Sequence, residues 1–278
     1  MKGDGVEQDS DKAIYWLKKS ANLGHSIAEN DLALIYSKIE TEEAQELAVY
    51  WHKKAADHGN ADAQANLGIC YASGKGVQKN IEKSVYWWAK ASKQGHAGAQ
   101  YRLGSCLEKG TGIAKDARKA VLLYTEAAEQ GYAKAQSALG HAYFDGELIR
   151  QDFEKAAYWW AKAAKQGMME AQYNLGVCFG NGKGVEQDDV EAAYWWEKSA
   201  EQGYVEAQFN LSICYINGEG VKQDNRKAVY WCEKSAEQGH AAAQYNLAIC
   251  YDQGIGVEVD HIEAMKWRAI AASHGNNG

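Results

Sequence analysis

The stretch that decides the fold is residues 171–188, AQYNLGVCFGNGKGVEQD. Its centre, Gly180-Asn181-Gly182-Lys183-Gly184, has the outline of a glycine-rich phosphate loop leading into a helix. A phosphate cradle of that kind needs a strand before the loop, a Gly-Lys-Ser/Thr ending and a helix N-terminus aimed at the anion. Here Ala171, Leu175, Cys178 and Phe179 fall at i, i+4, i+7 and i+8, which is one face of a helix, and no Ser or Thr follows Lys183. Equivalent segments read Gly74-Lys75-Gly76, Gly110-Thr111-Gly112, Gly218-Glu219-Gly220 and Gly254-Ile255-Gly256. The middle letter changes while the glycines return. That is the pattern expected where glycine supplies positive φ in a turn between two helices.

Working outward, the whole segment proves to be one copy of a repeat. Gln64, Gln100, Gln136, Gln172, Gln208 and Gln244 stand 36 residues apart, as do Leu67, Leu103, Leu139, Leu175, Leu211 and Leu247. Tryptophan recurs at Trp16, Trp51, Trp87, Trp159, Trp195, Trp231 and Trp267, with Leu123 in the remaining place. The spacing predicts a half repeat at 1–24 and full repeats at 25–59, 60–95, 96–131, 132–167, 168–203, 204–239 and 240–275. A fixed period of this length marks a repeat architecture.

Each repeat reads as two helices. In 168–203 the second starts at Asp188, an N-cap, with Glu191 three residues on as in a capping box. Ala192, Trp195, Trp196 and Ala200 continue at helical spacing, and Gln202-Gly203 ends it. Neither helix can bury its apolar stripe alone, whereas stacked pairs bury theirs as one core. Small residues such as Gly176 and Ala192 let helix axes approach, and the tryptophans fill the space between pairs. The predicted class is all-α, a solenoid of antiparallel helix pairs.

The chain has 278 residues, 46% hydrophobic and 24% charged, with net charge −7, no proline and ten tryptophans. An acidic balance argues against nucleic acid or an anionic membrane as the main partner, since both reward basic patches. No apolar run reaches the ~18 residues of a membrane-spanning helix, so membrane insertion is not expected.

The repeat resembles the Sel-one-like repeat, a relative of the tetratricopeptide repeat. Residues 204–239 carry the pattern nearly throughout, in Ala207, Leu211, Tyr215, Gly218, Gly220, Val221, Asp224, Lys227, Ala228, Trp231, Lys234, Ala236 and Gly239. The resemblance covers essentially the whole chain and implies a right-handed superhelix. Two repeats depart from it: 132–167 has Leu148 at the second loop glycine, and 25–59 has neither loop glycine. Loop conformations are expected to differ there.

Reactive side chains are poorly placed for chemistry. Cys70, Cys106, Cys178, Cys214 and Cys250 share one register position in five of the repeats. Neighbouring helix axes lie ~8–10 Å apart, beyond the ~7 Å Cα separation a disulfide tolerates, so this ladder cannot cross-link itself and reads as small buried hydrophobes. Cys232 lies between Cys214 and Cys250 on a second helix, where one bridge to either remains open. Mostly unpaired cysteines favour a reducing compartment, but neither cytoplasm nor periplasm is assigned. Of eight histidines, His25, His96 and His240 share a turn position, and no H-E-x-x-H or nucleophile–base spacing occurs. Paired carboxylates such as Asp188-Asp189 sit at a helix start, where the dipole favours anions. No catalytic residue, cofactor or metal site is expected.

The resemblance implies a non-enzymatic scaffold that binds a protein or peptide in a concave groove built from the first helix of each pair. Bacterial host-interaction and effector-immunity proteins are among the versions it suggests. Transferring the tetratricopeptide register places Tyr101, Tyr173, Phe209 and Tyr245 in one row, and Val177, Ile213 and Ile249 four residues on in the next. Ile216 lies in a third row, and Asn66, Asn174, Asn210 and Asn246 run beside these. The main contact surface is expected over 168–275. The aromatic row also fits a second role, packing on the next repeat. Two further readings stay open: a β-lactam-binding or hydrolysing enzyme like some cysteine-rich relatives, and a spacer without a groove. Residues 3–9 begin inside a repeat loop and 274–278 follow an uncapped last helix, so a longer parent chain and end-to-end self-association are expected.

Overall fold

A computed structural model describes residues 10–275; the predicted loop at 3–9 and the extreme C-terminus lie outside them. The described residues form helices and no strand, in two compact units divided between residues 135 and 136. Unit 1 holds α1 (Ser10–Asn22), α2 (Ser26–Ser37), α3 (Glu42–Asp57), α4 (Ala61–Ser73), α5 (Ile81–Lys93), α6 (Ala97–Lys109) and α7 (Ala117–Glu129). Helix α8 (Ala133–Asp145) crosses the division. Unit 2 continues with α9 (Phe153–Lys165), α10 (Met169–Asn181), α11 (Asp189–Ala200), α12 (Val205–Asn217), α13 (Asn225–Glu237), α14 (Ala241–Gln253) and α15 (His261–Gly275). Within each unit, a first helix packs on its own second helix and on the second helix of the preceding repeat, as α10 does on α11 and α9. This is the helix-pair stacking that the period predicts.

The Gly-Lys-Gly loop is built for that stacking. Gly182 caps α10 at φ 63° and Gly184 follows at φ 73°, both left-handed. A side chain on Gly184 would run into the backbone carbonyl of Phe153, where α9 begins. The loop thus docks on the preceding second helix at a closeness only glycine allows. Asp188 caps α11 as expected, accepting from the amides of Val190 and Glu191 at 2.9 and 3.0 Å. The Glu191 carboxylate is taken by Trp195 Nε1 at 3.0 Å. Where loop glycines are missing, the backbone differs: α2 ends on Lys38 in a right-handed conformation, and among the described residues only glycine has positive φ.

Inside each repeat the two helices are matched in size. A Cβ on Gly176 would lie 2.6 Å from the Trp196 ring, and Gly68, Gly104 and Gly140 make equally close room for Trp88, Tyr124 and Trp160. Where the second helix carries a smaller residue, Cys232, the first carries Ser212. The glycine is a seat for an aromatic ring, which is why it recurs inside a helix despite its cost there.

The recurrent glutamine has an equally local cause. Gln172 is buried, donates to the carbonyl of Ala164 on the preceding helix at 3.2 Å, and accepts from Gln202 of its own repeat at 2.7 Å. Gln64 with Gln94 and Gln208 with Gln238 repeat the arrangement. One amide thus closes a helix C-terminus and ties three helix ends together, satisfying groups that burial would otherwise strand. In repeat 25–59 the pair becomes Glu29 and His58, with Nδ1 to Oε2 at 2.8 Å. Glu29 is 1% exposed, and its Oε1 has no hydrogen-bond partner.

Candidate partner-binding face

In unit 2 the predicted rows lie on α10, α12 and α14. The rings of the first row lean on the cap residue of the following repeat. Tyr173 meets Tyr204 at 5.0 Å between centroids, and Phe209 stacks on His240 at 4.5 Å. In unit 1, Tyr101 meets Tyr132 at 5.6 Å in the same way. These three are half-buried, so packing between repeats takes up much of each ring. Tyr245 of α14 is 56% exposed. Val177, Ile213, Ile249 and Ile216 are half-buried, and Ile216 also packs on the core formed around Leu211.

The asparagine row is tied to this face rather than loose in solvent. Burial, with Glu206 nearby, pushes the Tyr173 phenol up, and the Asn210 amide beside it offsets part of that rise. Asn174 Nδ2 lies 3.5 Å from His141 Nε2, which in turn reaches Glu170 Oε1 at 3.2 Å. Asn246 is half-buried on α14. The structure therefore brings Tyr173, Asn174, Phe209, Asn210 and Ile213 onto neighbouring helices of one unit, with Tyr101 apart in the other.

Sequence reasoning missed Arg102 and the capping role of His96 and His240. A cavity of about 430 Å³ opens on the first-helix face of unit 1, lined by Asn66, Ile69, His96, Arg102 and Tyr132 among others. Arg102, which carries no repeat signature, holds its guanidinium 5.7 Å over the Trp88 ring. His96 and His240, noted above only as sharing a turn position, are N-caps whose Nδ1 accepts from Ala99 and Ala243 at 3.1 Å. His25 occupies the same position without a side-chain cap bond. The signal was present in their shared place before each first helix, where capping residues belong.

The cysteines are unpaired, including Cys232, whose thiol points to the carbonyl of Ala243 at 3.2 Å. Burial pushes Cys178 up to about 11 and Cys214 and Cys232 up to about 12. Thiols so disfavoured as thiolates are poor nucleophiles at neutral pH. Among the described residues no group of three metal-binding side chains converges, and no helix is long and apolar enough to cross a membrane.

The model of the Sel1 repeat matches residues 1–25, 26–60, 61–96, 97–132, 133–168, 170–204, 205–240 and 241–276. The chain belongs to the Sel1 repeat family. Among solved structures it is similar to a protective antigen of uropathogenic Escherichia coli strains that displays the same repeat fold, with 34% identity and a TM-score of 0.89. That match covers 95% of this chain and 56% of the antigen, so the chain spans little more than half of that protein. A Sel1 repeat protein of Oxalobacter formigenes is 34% identical with a TM-score of 0.73, covering 87% of this chain and 96% of that one. No curated protein matches. The helix pairs, the loop glycines and the tryptophan seats described above are thus this chain's version of the Sel1 repeat.

Proposed function

We propose that this Sel1 repeat protein is a scaffold that binds a partner polypeptide on its first-helix face, with α10, α12 and α14 as the main contact surface. The observation that supports the reading is the run of half-buried aliphatics Val177, Ile213 and Ile249 on successive first helices, with Asn174, Asn210 and Asn246 beside it. Half-buried apolar side chains alongside amides suit a groove for a partner polypeptide. The amides of Asn174, Asn210 and Asn246 suit an extended backbone, which offers a donor and an acceptor per residue.

The enzyme reading draws no support from the cysteines, because burial raises their thiol pKa values and keeps them protonated at neutral pH. The test is comparative capture. Wild-type protein and a Tyr245→Asp/Ile249→Asp variant are used as baits against the native organism's extract, with circular dichroism confirming the fold of both. The proposal expects specific partners to be lost from the variant. An unchanged set of partners on a folded variant rejects this face.

A further inference from the structure

The second-helix side of the repeats carries its own regular chemistry. In three repeats a lysine on the second helix lies over an aromatic ring on the first. Lys83 stands 5.3 Å from the Tyr71 ring, Lys155 5.3 Å from Tyr143, and Lys227 5.2 Å from Tyr215. Each is an ammonium held against a π face, an interaction strong enough to organise both side chains. In repeat 168–203 the ring is kept as Phe179, but the lysine position holds Glu191. An anion stands here beside a ring that three siblings cover with a cation, and repeat 240–275 makes the same exchange at Tyr251 and Glu263.

A groove opens at that place. It has a volume of about 490 Å³ and lies between α9 and α11, with Leu175 and Phe179 of α10 beneath. Trp195 and Tyr158, whose ring also carries the Lys162 ammonium at 4.6 Å, form aromatic walls, and Glu154 and Glu191 supply carboxylates beside Lys165. Trp195 is also short of its usual companion. Lys90 and Lys162 lie 4.8 and 5.1 Å from the rings of Trp87 and Trp159, whereas Lys198 turns to Glu201 at 3.2 Å. Glu191 is held in place by its hydrogen bond from Trp195 Nε1. Aromatic faces combined with carboxylates are the chemistry that selects an organic cation over a neutral or anionic group.

We infer that this groove accepts the ammonium-bearing side chain of a lysine from a partner polypeptide, completing from outside the contact that Lys83, Lys155 and Lys227 make from within. The acidic balance of the chain favours the approach of such a partner. The site lies between second helices and does not depend on the first-helix face, so either can fail alone.

The probe is the peptide acetyl-Gly-Gly-Lys-Gly-Gly-amide, titrated into the full chain while the Trp195 indole N–H resonance is followed by NMR. The resonance is assigned by its loss in Trp195→Phe. A saturable shift in the millimolar range is expected for so small a ligand, with at least about tenfold weaker binding when the lysine is Nε-acetylated. Glu191→Lys, which restores the sibling pattern and so keeps the fold, is expected to weaken binding at least about tenfold by filling the site from inside. Glu154→Gln tests the charge independently and is expected to weaken binding by a few-fold. Equal shifts from the acetylated peptide, unchanged binding by Glu191→Lys, or no saturable shift at all would overturn the inference.

Discussion

At the scale of single residues, the letters that recur in this chain are explained by what each one touches. Gly176 recurs because Trp196 needs its space, and Gln172 because Ala164 and Gln202 both need its amide. The exceptions are as informative. His52 stands where other repeats carry Trp88, Tyr124, Trp160 or Trp196, is 2% exposed, and brings Nδ1 to within 3.1 Å of Asn30 Oδ1. Burial lowers its pKa from the ordinary 6.5 to about 4. The unfolded chain therefore takes up a proton near pH 6.5 that the folded chain refuses until about pH 4. Its contribution is fully present above pH 6.5 and is lost as the pH falls towards 4, a change of about 3 kcal/mol over that window. Urea unfolding between pH 4 and pH 7.5 should show that slope, and His52→Gln should flatten it. Equal slopes in both proteins would show that His52 is not the titrating group.

At the scale of elements, helices and their order were legible from periodicity, because the apolar positions return on helical spacing within a strict 36-residue frame. The loop was legible too, since its glycines persist while the residue between them varies. What could not be read was any bond whose partner lies on another helix. The glutamine was visible as a recurrence, yet its acceptor, eight residues back across a turn, is defined only once the helices stack. The same limit hid the Glu29–His58 pair, which is a glutamine pair rewritten in ionisable residues. Its unpartnered Oε1 leaves a buried polar atom unsatisfied, which costs ~1–3 kcal/mol. Glu29→Gln restores the amide used by the sibling repeats and is expected to raise unfolding stability by about 1 kcal/mol. Thermal or urea unfolding checks this; a loss of stability would mean that the carboxylate is preferred at this joint. The candidate face was half legible for the same reason. The register located Tyr173, Phe209 and Tyr245, but only the packing shows that the first two lean on Tyr204 and His240.

At the scale of the whole molecule, one explanation covers the repeats: helix pairs bury against one another, and the recurring side chains are the means. Nothing in that scheme needs covalent cross-links. The six cysteines are unpaired, and all but Cys70 are buried. The melting temperature should therefore be indifferent to reductant, and all six thiols should titrate once the chain is denatured. Fewer than six would reveal a bridge. The most direct test returns to the loop at 180–184, where a phosphate cradle would depend on Lys183 and a packed repeat on Gly184. Gly184 adopts φ 73° with the Phe153 carbonyl against it, whereas Lys183 is exposed. Equilibrium urea unfolding, followed by tryptophan fluorescence, should show Gly184→Ala losing at least about 2 kcal/mol, while Lys183→Ala stays within about 1 kcal/mol of wild type. A Gly184→Ala protein as stable as wild type would contradict the account.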